Sequence, residues 1–149
     1  MPTNFLRSRD KPPRPQPKPT SRAPRIIEIT AGKAKLRAQL LDTPGADRIW
    51  AALPLFSTAE RWGDSLHFEI PVRSGRERNA RLNGEHGYIY FWSHEERLLI
   101  PFGQTPISRS GEIRLPSPCN VLARAIDDTS VLQSVTPGEK VTIKAAANG

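Results

Sequence analysis

Three polar side chains that could take part in chemistry share one face of the most regular strand in the sequence. Over residues 66–73 the apolar Leu66, Phe68, Ile70 and Val72 alternate with His67, Glu69, Pro71 and Arg73. Because strand side chains alternate with a period of two, His67, Glu69 and Arg73 lie opposite the apolar face. A histidine and a carboxylate so placed can act as acid and base, or as a polar recognition set. The same pattern is typical of a solvated outer face, where a Glu–Arg pair contributes little to stability.

A second group of candidates lies where an apolar strand runs into a polar turn, over residues 97–108 (RLLIPFGQTPIS). The strand is expected to form the buried wall of a groove, and the turn is expected to place backbone and hydroxyl groups at the edge of that groove. Gly103 would let the backbone pass close to a ligand, because glycine carries no side chain. Phe102, Gln104 and Thr105 are therefore candidate groove residues, with Trp62, His67 and Asn120 expected nearby. The alternative is that residues 103–106 form only a tight structural turn.

The aromatic segment 88–92 (YIYFW) also offers a binding surface. Alternation places Tyr88, Tyr90 and Trp92 on one face and Ile89 and Phe91 on the other. One set must belong to the core. The other set could line a groove and stack on a ligand, so Tyr90 joins the candidate ligand-binding residues.

Neither a metal centre nor a thiol nucleophile is expected. A metal site would need His67, Glu69, His86 and His94 to converge, and the sequence has no HxH, HExxH or CxxC spacing. We therefore predict no metal and no cofactor. Cys119, the single cysteine, is expected to be a buried, inert thiol rather than a nucleophile. One cysteine allows no internal disulfide, which fits a cytoplasmic location.

The elements that must position these residues are mostly strands. Short alternating segments at even spacing predict a mainly β protein, a closed eight-stranded β-barrel with one or two short helices, because closure removes sheet edges. Asp42-Thr43-Pro44 predicts a helix start, and Ala46, Ile49, Trp50 and Leu53 form its apolar stripe. Asn83-Gly84 is predicted as a turn and residues 104–118 as a long loop. The predicted strands cover residues 26–30, 33–41, 66–73, 88–92, 97–102, 120–126 and 139–145, with a short strand and loop over 55–62 and a helical turn over 129–135.

The basic charge of the chain is concentrated at its N-terminus. Residues 1–25 hold seven basic side chains and one acid, a net charge of +6, whereas the other 124 residues carry 15 basic and 14 acidic ones. Seven of the 15 prolines also lie there. We therefore predict a disordered tail over residues 1–24 and one domain over residues 25–149. The tail could bind nucleic acid or an acidic partner, and its RxxPxxP pattern at residues 9–15 could dock in an aromatic groove, although a solvated tether is the simpler interpretation. No segment is apolar enough to span a membrane, so no membrane partner is expected.

The order of hairpin, helix, strands and closing hairpin resembles cyclophilin. LHFEIP (residues 66–71) is similar to a long strand of that family, and RLLIPFGQTP and NVLARAIDD are similar to its two late strands. The chain more closely resembles a prokaryotic, bacterial type of cyclophilin-like domain whose function is uncharacterised, over residues 25–146. The motifs that carry this resemblance are Trp62-Gly63, Gly87-Tyr88-Ile89-Tyr90, Phe102-Gly103-Gln104-Thr105-Pro106 and Ser117-Pro118-Cys119-Asn120-Val121.

The departures from active cyclophilins bear on function. The resemblance implies an arginine three residues before Pro71, where this chain has Phe68, and a Gln-Gly-Gly-Asp stretch, where it has Arg73-Ser74-Gly75-Arg76-Glu77. We therefore expect a non-catalytic binding domain whose groove holds a small molecule or short peptide. The alternative is a weak peptidyl-prolyl isomerase in which Arg73, Arg109 or Arg114 replaces the missing arginine.

Overall fold

The computed structural model describes residues 23–146, and in this range it contains ten strands, one α-helix and one 3-10 helix. The first half comprises β1 (Ile26–Ala31), β2 (Ala34–Leu40), α1 (Pro44–Ala52), β3 (Leu55–Thr58), β4 (Glu60–Arg61) and β5 (Ser65–Glu69). The second half comprises β6 (Arg81–Gly84), β7 (Tyr88–Trp92), β8 (Arg97–Pro101), β9 (Ile113–Ala125), the 3-10 helix (Thr129–Ser134) and β10 (Lys140–Ala145).

The strands form one antiparallel sheet that curls into a nearly closed barrel. Their order is β3-β10-β1-β2-β9-β7-β8-β5-β4, and β6 pairs with β9 outside this path. At the seam, the Ser57 hydroxyl on β3 donates a hydrogen bond to the Glu69 carbonyl on β5, at 2.5 Å. The mainly β, barrel-like fold predicted from the sequence is confirmed. The two strands beyond the expected eight arise because segments predicted as loop or turn pair with neighbours.

The barrel interior is filled by the apolar side of each strand. Ile27 and Ile29 on β1 are fully buried, as are Leu66 and Phe68 on β5. Ile70 and Val72 are also buried, although β5 ends at Glu69, before Pro71. The alternation predicted for residues 66–73 is therefore confirmed beyond the end of the strand.

A second apolar layer lies outside the barrel. It contains Tyr90, Leu99, Ile113, Leu115, Cys119 and Val121, with Tyr88 and Trp92 partly buried against it. Ile89 and Phe91 face the barrel core instead. Both faces of the aromatic strand are thus largely covered, and Tyr90, expected in a groove, is 1% exposed.

The covering strand β6 corrects two sequence predictions. Asn83 and Gly84 are not an isolated turn, because they pair with Arg114 and Ile113 of β9. The predicted loop over residues 104–118 likewise ends early, since β9 already begins at Ile113. Between the pairs Arg81–Cys119 and Asn83–Arg114, one residue on β6 opposes four on β9. Pro116 and Pro118 lie in this bulge, where a proline removes no ladder hydrogen bond, and this explains how a proline-rich segment becomes part of a strand.

Helix α1 packs its apolar stripe on the barrel, as predicted. The Thr43 hydroxyl caps its first turn by accepting a hydrogen bond from the Ala46 N–H at 3.1 Å, and Pro44 takes the first helical position. Ala46 and Ile49 are buried, and Trp50 and Leu53 pack against the core.

The predicted tail lies almost entirely outside the described residues, so its predicted disorder stays a prediction. Within residues 23–146, no helix is long and apolar enough to cross a membrane.

Candidate functional site

A hollow of about 530 Å³ opens between the β6–β7 connection and the segment that leads from β8 into β9. We call it the Gln104 hollow. Its lining residues are Asn83, Gly84, Glu85, His86, Gly103, Gln104, Gly111, Glu112 and Ile113. A volume of this size falls in the range of small-molecule sites in proteins.

Three glycines and one buried apolar side chain are among the residues that line the Gln104 hollow. Ile113 is buried, and a Cβ atom added at Gly84 would lie 3.2 Å from side-chain atoms of Leu115 and Tyr90. A Cβ atom at Gly103 would lie 2.7 Å from the Asp64 side chain. Gly103 is therefore required for the close packing of two chain segments. This is the role expected if residues 103–106 form a tight structural turn.

The polar side chains Asn83, Gln104 and Glu112 in the walls of the Gln104 hollow are hydrogen-bonded or ion-paired to neighbouring residues. Arg114 donates from Nε to the Asn83 Oδ1 at 3.2 Å, and its guanidinium lies 3.4 Å from the Glu112 carboxylate. The Gln104 amide donates from Nε2 to the Arg109 carbonyl at 2.8 Å. These bonds hold the wall side chains in place before any ligand arrives, which lowers the entropy lost on binding.

Gln104 is the one member of the nine predicted ligand-binding residues that lines this hollow. Phe102 and Thr105, its neighbours in sequence, are buried. The Arg61 guanidinium stacks over the Phe102 ring, 5.0 Å from its centroid. The Thr105 hydroxyl donates a 2.6 Å hydrogen bond to the Arg114 carbonyl, which anchors the loop to β9.

Tyr90 and Asn120 are also buried and hydrogen-bonded within the protein. The Tyr90 hydroxyl accepts a hydrogen bond from the Glu85 N–H at 2.8 Å, which fixes the wall of the Gln104 hollow from behind. Burial is the main cause that raises the pKa of Tyr90. The Asn120 side chain accepts from the Glu77 N–H at 2.7 Å and donates to the Gly75 carbonyl at 2.9 Å. Both side chains therefore shape surface loops from beneath.

The polar side chains predicted to share one strand face, His67, Glu69 and Arg73, each make contacts in a different place. His67 Nδ1 lies 3.3 Å from Arg97 Nη1, and the His67 ring lies edge-on to Trp92 with 6.5 Å between centroids. Burial, followed by the positive charge of Arg97, lowers the pKa of His67. Trp62 is half-buried, and its carbonyl accepts a hydrogen bond from the Ser65 hydroxyl at 2.6 Å.

Glu69 and Arg73 lie at two other surface hollows. Glu69 lines a hollow of about 490 Å³ at the barrel seam, together with Phe56, Pro71 and Glu96. Arg73 pairs with Glu96 at 3.0 Å, and its side chain is 90% exposed. His67, Glu69 and Arg73 thus do not converge on one site with Gln104, and a ligand-binding role for any of the nine residues stays a prediction.

Neither a metal cluster nor a reactive thiol is present in the described part of the chain. No group of three or more His, Cys, Asp and Glu side chains there could hold a metal ion. Cys119 is buried, and burial raises the pKa of its thiol to about 12. A thiol with this pKa stays protonated at neutral pH, and a protonated thiol is a poor nucleophile.

Sequence reasoning missed most of the hollow, namely Asn83, Glu85, His86, Glu112 and Ile113. These residues lie in or beside the predicted turn at Asn83-Gly84 or in the predicted loop over residues 104–118, where polar side chains are ordinary. The apolar pair Ile113 and Leu115, two residues apart, is a strand signal that could have extended β9 to its true start.

The fold and this site define a cyclophilin-type β-barrel with a hollow at one side. The profile of the family described as cyclophilin-like matches residues 25–144, and the chain belongs to that family. It is similar to the solution structure of the hypothetical protein AF2241 from Archaeoglobus fulgidus, with 32% identity, a TM-score of 0.73, and coverage of 83% of this chain and 95% of that one.

A more distant likeness shows the fold alone. The structure of McbB in complex with tryptophan matches with 17% identity and a TM-score of 0.62, over 83% of this chain and 45% of McbB. Among curated proteins no match was found.

Proposed function

We propose that this protein is a non-catalytic binding domain and that the Gln104 hollow takes a small molecule or a short peptide. The observation that carries the proposal is a hollow of about 530 Å³ whose polar walls are held in place by internal hydrogen bonds. Membership of the cyclophilin-like family supports the barrel scaffold, and function is argued from the site because one fold hosts many functions. The single cysteine supports a cytoplasmic location for this activity.

The lining indicates the chemistry of the ligand. Ile113 offers an apolar contact beside three glycines, which suits a small apolar group such as a planar ring or a proline ring. Glu85 and Glu112 also line the hollow, and each is paired with an arginine: Arg81 lies 3.7 Å from Glu85, and Arg114 lies 3.4 Å from Glu112. These ion pairs offer both donors and acceptors, so we expect a neutral ligand that can use both at this hollow.

Ligand titration by NMR of the full-length, 15N-labelled chain tests the proposal. A short Xaa-Pro peptide and a set of ring-containing fragments with amine or amide donors are the probes. We expect saturable shifts of the amides at residues 83–86, 103–104 and 111–113. Gln104→Ala should weaken binding by about 2- to 10-fold through the loss of one hydrogen bond, whereas Gln133→Ala, at an exposed glutamine elsewhere, should not. Shifts confined to other residues, or affinity unchanged by Gln104→Ala, would refute this site.

A weak peptidyl-prolyl isomerase is the second candidate, and the position of Arg114 favours it. Phe68, at the position of the missing arginine, is buried in the barrel core. Arg114 instead contacts two wall residues of the Gln104 hollow, Asn83 and Glu112, and so could donate to a proline amide there.

Exchange spectroscopy on the same peptide distinguishes binding from isomerisation. Uncatalysed cis–trans exchange takes tens to hundreds of seconds, so exchange peaks at sub-second mixing times would show catalysis. Catalysis that Arg114→Gln abolishes would support the isomerase, and peptide binding without exchange peaks would support the binding domain.

A further inference from the structure

Three exposed arginines lie in the β5–β6 loop, and a fourth lies on helix α1. We call Arg48, Arg73, Arg76 and Arg78 the arginine lobe. All four are exposed, and Arg48 and Arg73 line a shared hollow of about 440 Å³ with Ser74, Gly75, Ser93 and Glu96. This hollow shares no residue with the Gln104 hollow.

Three hydrogen bonds hold the β5–β6 loop, which carries three of these arginines, to β9 and α1. Asn120, 1% exposed, holds the Gly75 carbonyl and the Glu77 N–H. The Glu77 carboxylate accepts a hydrogen bond from the Gly45 N–H at 2.8 Å, in the first turn of α1. Because α1 also carries Arg48, these bonds fix the backbone of the loop relative to the helix. The backbone that carries the arginines is therefore held in place before a ligand binds, which lowers the entropy lost on binding.

The charges of the lobe are only partly neutralised within the protein. Among residues 23–146, Arg48, Arg76 and Arg78 have no ion-pair partner, since the only pair in the lobe joins Arg73 to Glu96. That pair uses Arg73 Nε, and a guanidinium has five N–H donors, so the outer edge of Arg73 keeps donors for a ligand. The carboxylate of Glu77 is directed at the helix rather than into solvent.

We propose that the arginine lobe binds phosphate groups. Guanidinium groups match the planar, paired oxygens of phosphate, and the Ser74 and Ser93 hydroxyls line the same hollow as additional donors. The hollow is larger than a single phosphate, which leaves room for the rest of a phosphorylated molecule. The helix N-terminus of α1 is not the source of this affinity, because Glu77 already occupies the Gly45 N–H.

The test is a pair of NMR titrations on the full-length chain at constant ionic strength. One uses inorganic phosphate exchanged for chloride, and the other uses a single-stranded oligouridylate. We expect saturable shifts at the amides of Ser74, Gly75 and Ser93 and at the Nε–H signals of Arg48 and Arg73. Saturation by inorganic phosphate would assign a site for one phosphate group, and a response to the oligouridylate alone would assign phosphates along a strand.

Matched charge variants separate the lobe from the rest of the protein. Arg48→Gln and Arg73→Gln should each weaken binding about tenfold, as the loss of a charge-assisted hydrogen bond implies. Arg124→Gln, which removes an exposed arginine on β9, should leave binding unchanged. Substituting the six basic residues of positions 1–22 with glutamine in the full chain tests whether the charges of the tail, rather than the arginine lobe, bind the ligand. No shift with either ligand, or binding that survives Arg48→Gln and Arg73→Gln but is lost with the tail charges, would overturn the proposal.

Discussion

Asn120 is hydrogen-bonded to two residues that lie 43 and 45 positions before it in the sequence. Its side chain is buried in the barrel wall and bonds to the backbone of Glu77 and Gly75. Asparagine suits this place because one side chain can accept and donate at once, which satisfies two backbone groups of the β5–β6 loop.

We predict that Asn120→Ala lowers the free energy of unfolding by about 2–3 kcal/mol, because it leaves backbone groups of Gly75 and Glu77 without partners. Urea denaturation with linear extrapolation measures this change. Asn83→Ala, which removes an exposed side chain with one hydrogen bond to Arg114, is the matched control and should cost about 0.5 kcal/mol or less. Equal losses for the two variants would contradict the role given to Asn120.

The lowered pKa of His67 predicts that the stability of the protein depends on pH. Burial and the neighbouring Arg97 lower its pKa in the folded state, while Glu60 acts in the opposite direction and more weakly. The unfolded chain takes up a proton near the ordinary histidine pKa, about 6.5, so it binds more protons than the folded chain just below this pH. The free energy of unfolding should therefore fall as the pH drops through 6.5 toward the lower, folded-state pKa.

We predict that His67→Gln loses less stability between pH 7.5 and pH 5 than the wild type does. Urea denaturation at several pH values measures the difference. His94→Gln removes an exposed histidine and controls for the loss of one imidazole. A slope unchanged by His67→Gln would show that other groups carry the pH dependence.

At the scale of elements, the close contact of two turns sets the shape of the Gln104 hollow. The Asp64 N–H donates to the Gln104 carbonyl and the Phe102 N–H donates to the Asp64 carbonyl, both at 2.9 Å. Gly103 lies between these bonds and directly against the Asp64 side chain. The position of Gln104 at the hollow thus depends on a glycine next to it.

We predict that Gly103→Ala costs about 1–3 kcal/mol of unfolding free energy, because the new methyl group has no room beside Asp64. Gly75→Ala is the control, since a Cβ atom there would meet nothing within 4 Å, and it should change stability by about 0.5 kcal/mol or less. Thermal or urea denaturation of both variants provides the comparison. A Gly103→Ala protein as stable as Gly75→Ala would contradict the packing argument.

At the scale of the whole molecule, residues 23–146 form a large barrel core and a small outer layer. The outer cluster contains six buried residues and is covered by β6, which pairs with β9 alone among the described strands. Strands with few partners and little buried apolar surface open at lower free energy than central ones. The Gln104 hollow belongs to this outer layer, because β6 supplies Asn83 and Gly84 to it.

We predict that amides of β6 exchange with solvent through a local opening, while amides of β1 and β10 exchange only through global unfolding. Native-state hydrogen exchange at increasing denaturant measures both free energies. Leu115→Ala, in the outer cluster, should speed exchange in β6 more than in β10. Identical opening free energies for β6 and β10 would show that the two layers unfold as one unit.

The sequence predicted the barrel well but not which residues meet at the Gln104 hollow, for a physical reason. Strand alternation and the Thr43-Pro44 helix start are local signals, and residues 66–73 and α1 were located from them. The pairing of β6 with β9 joins distant segments, so no local signal predicts it. Pro116 and Pro118 favour a loop in the sequence, because a strand tolerates proline only at an edge or in a bulge.

By itself, the sequence determined the fold class, which side chains of a strand share a face, the family resemblance and the concentration of charge before residue 25. Only the tertiary structure decided that Tyr90 and Asn120 are buried and that the outer aromatic face is covered by a further layer. It also decided that Gln104 lines one hollow together with the β6–β7 connection, and that Arg48 lines another together with the β5–β6 loop. Alternation specifies which side chains share a face, but what covers that face depends on long-range pairing, which a local pattern does not encode.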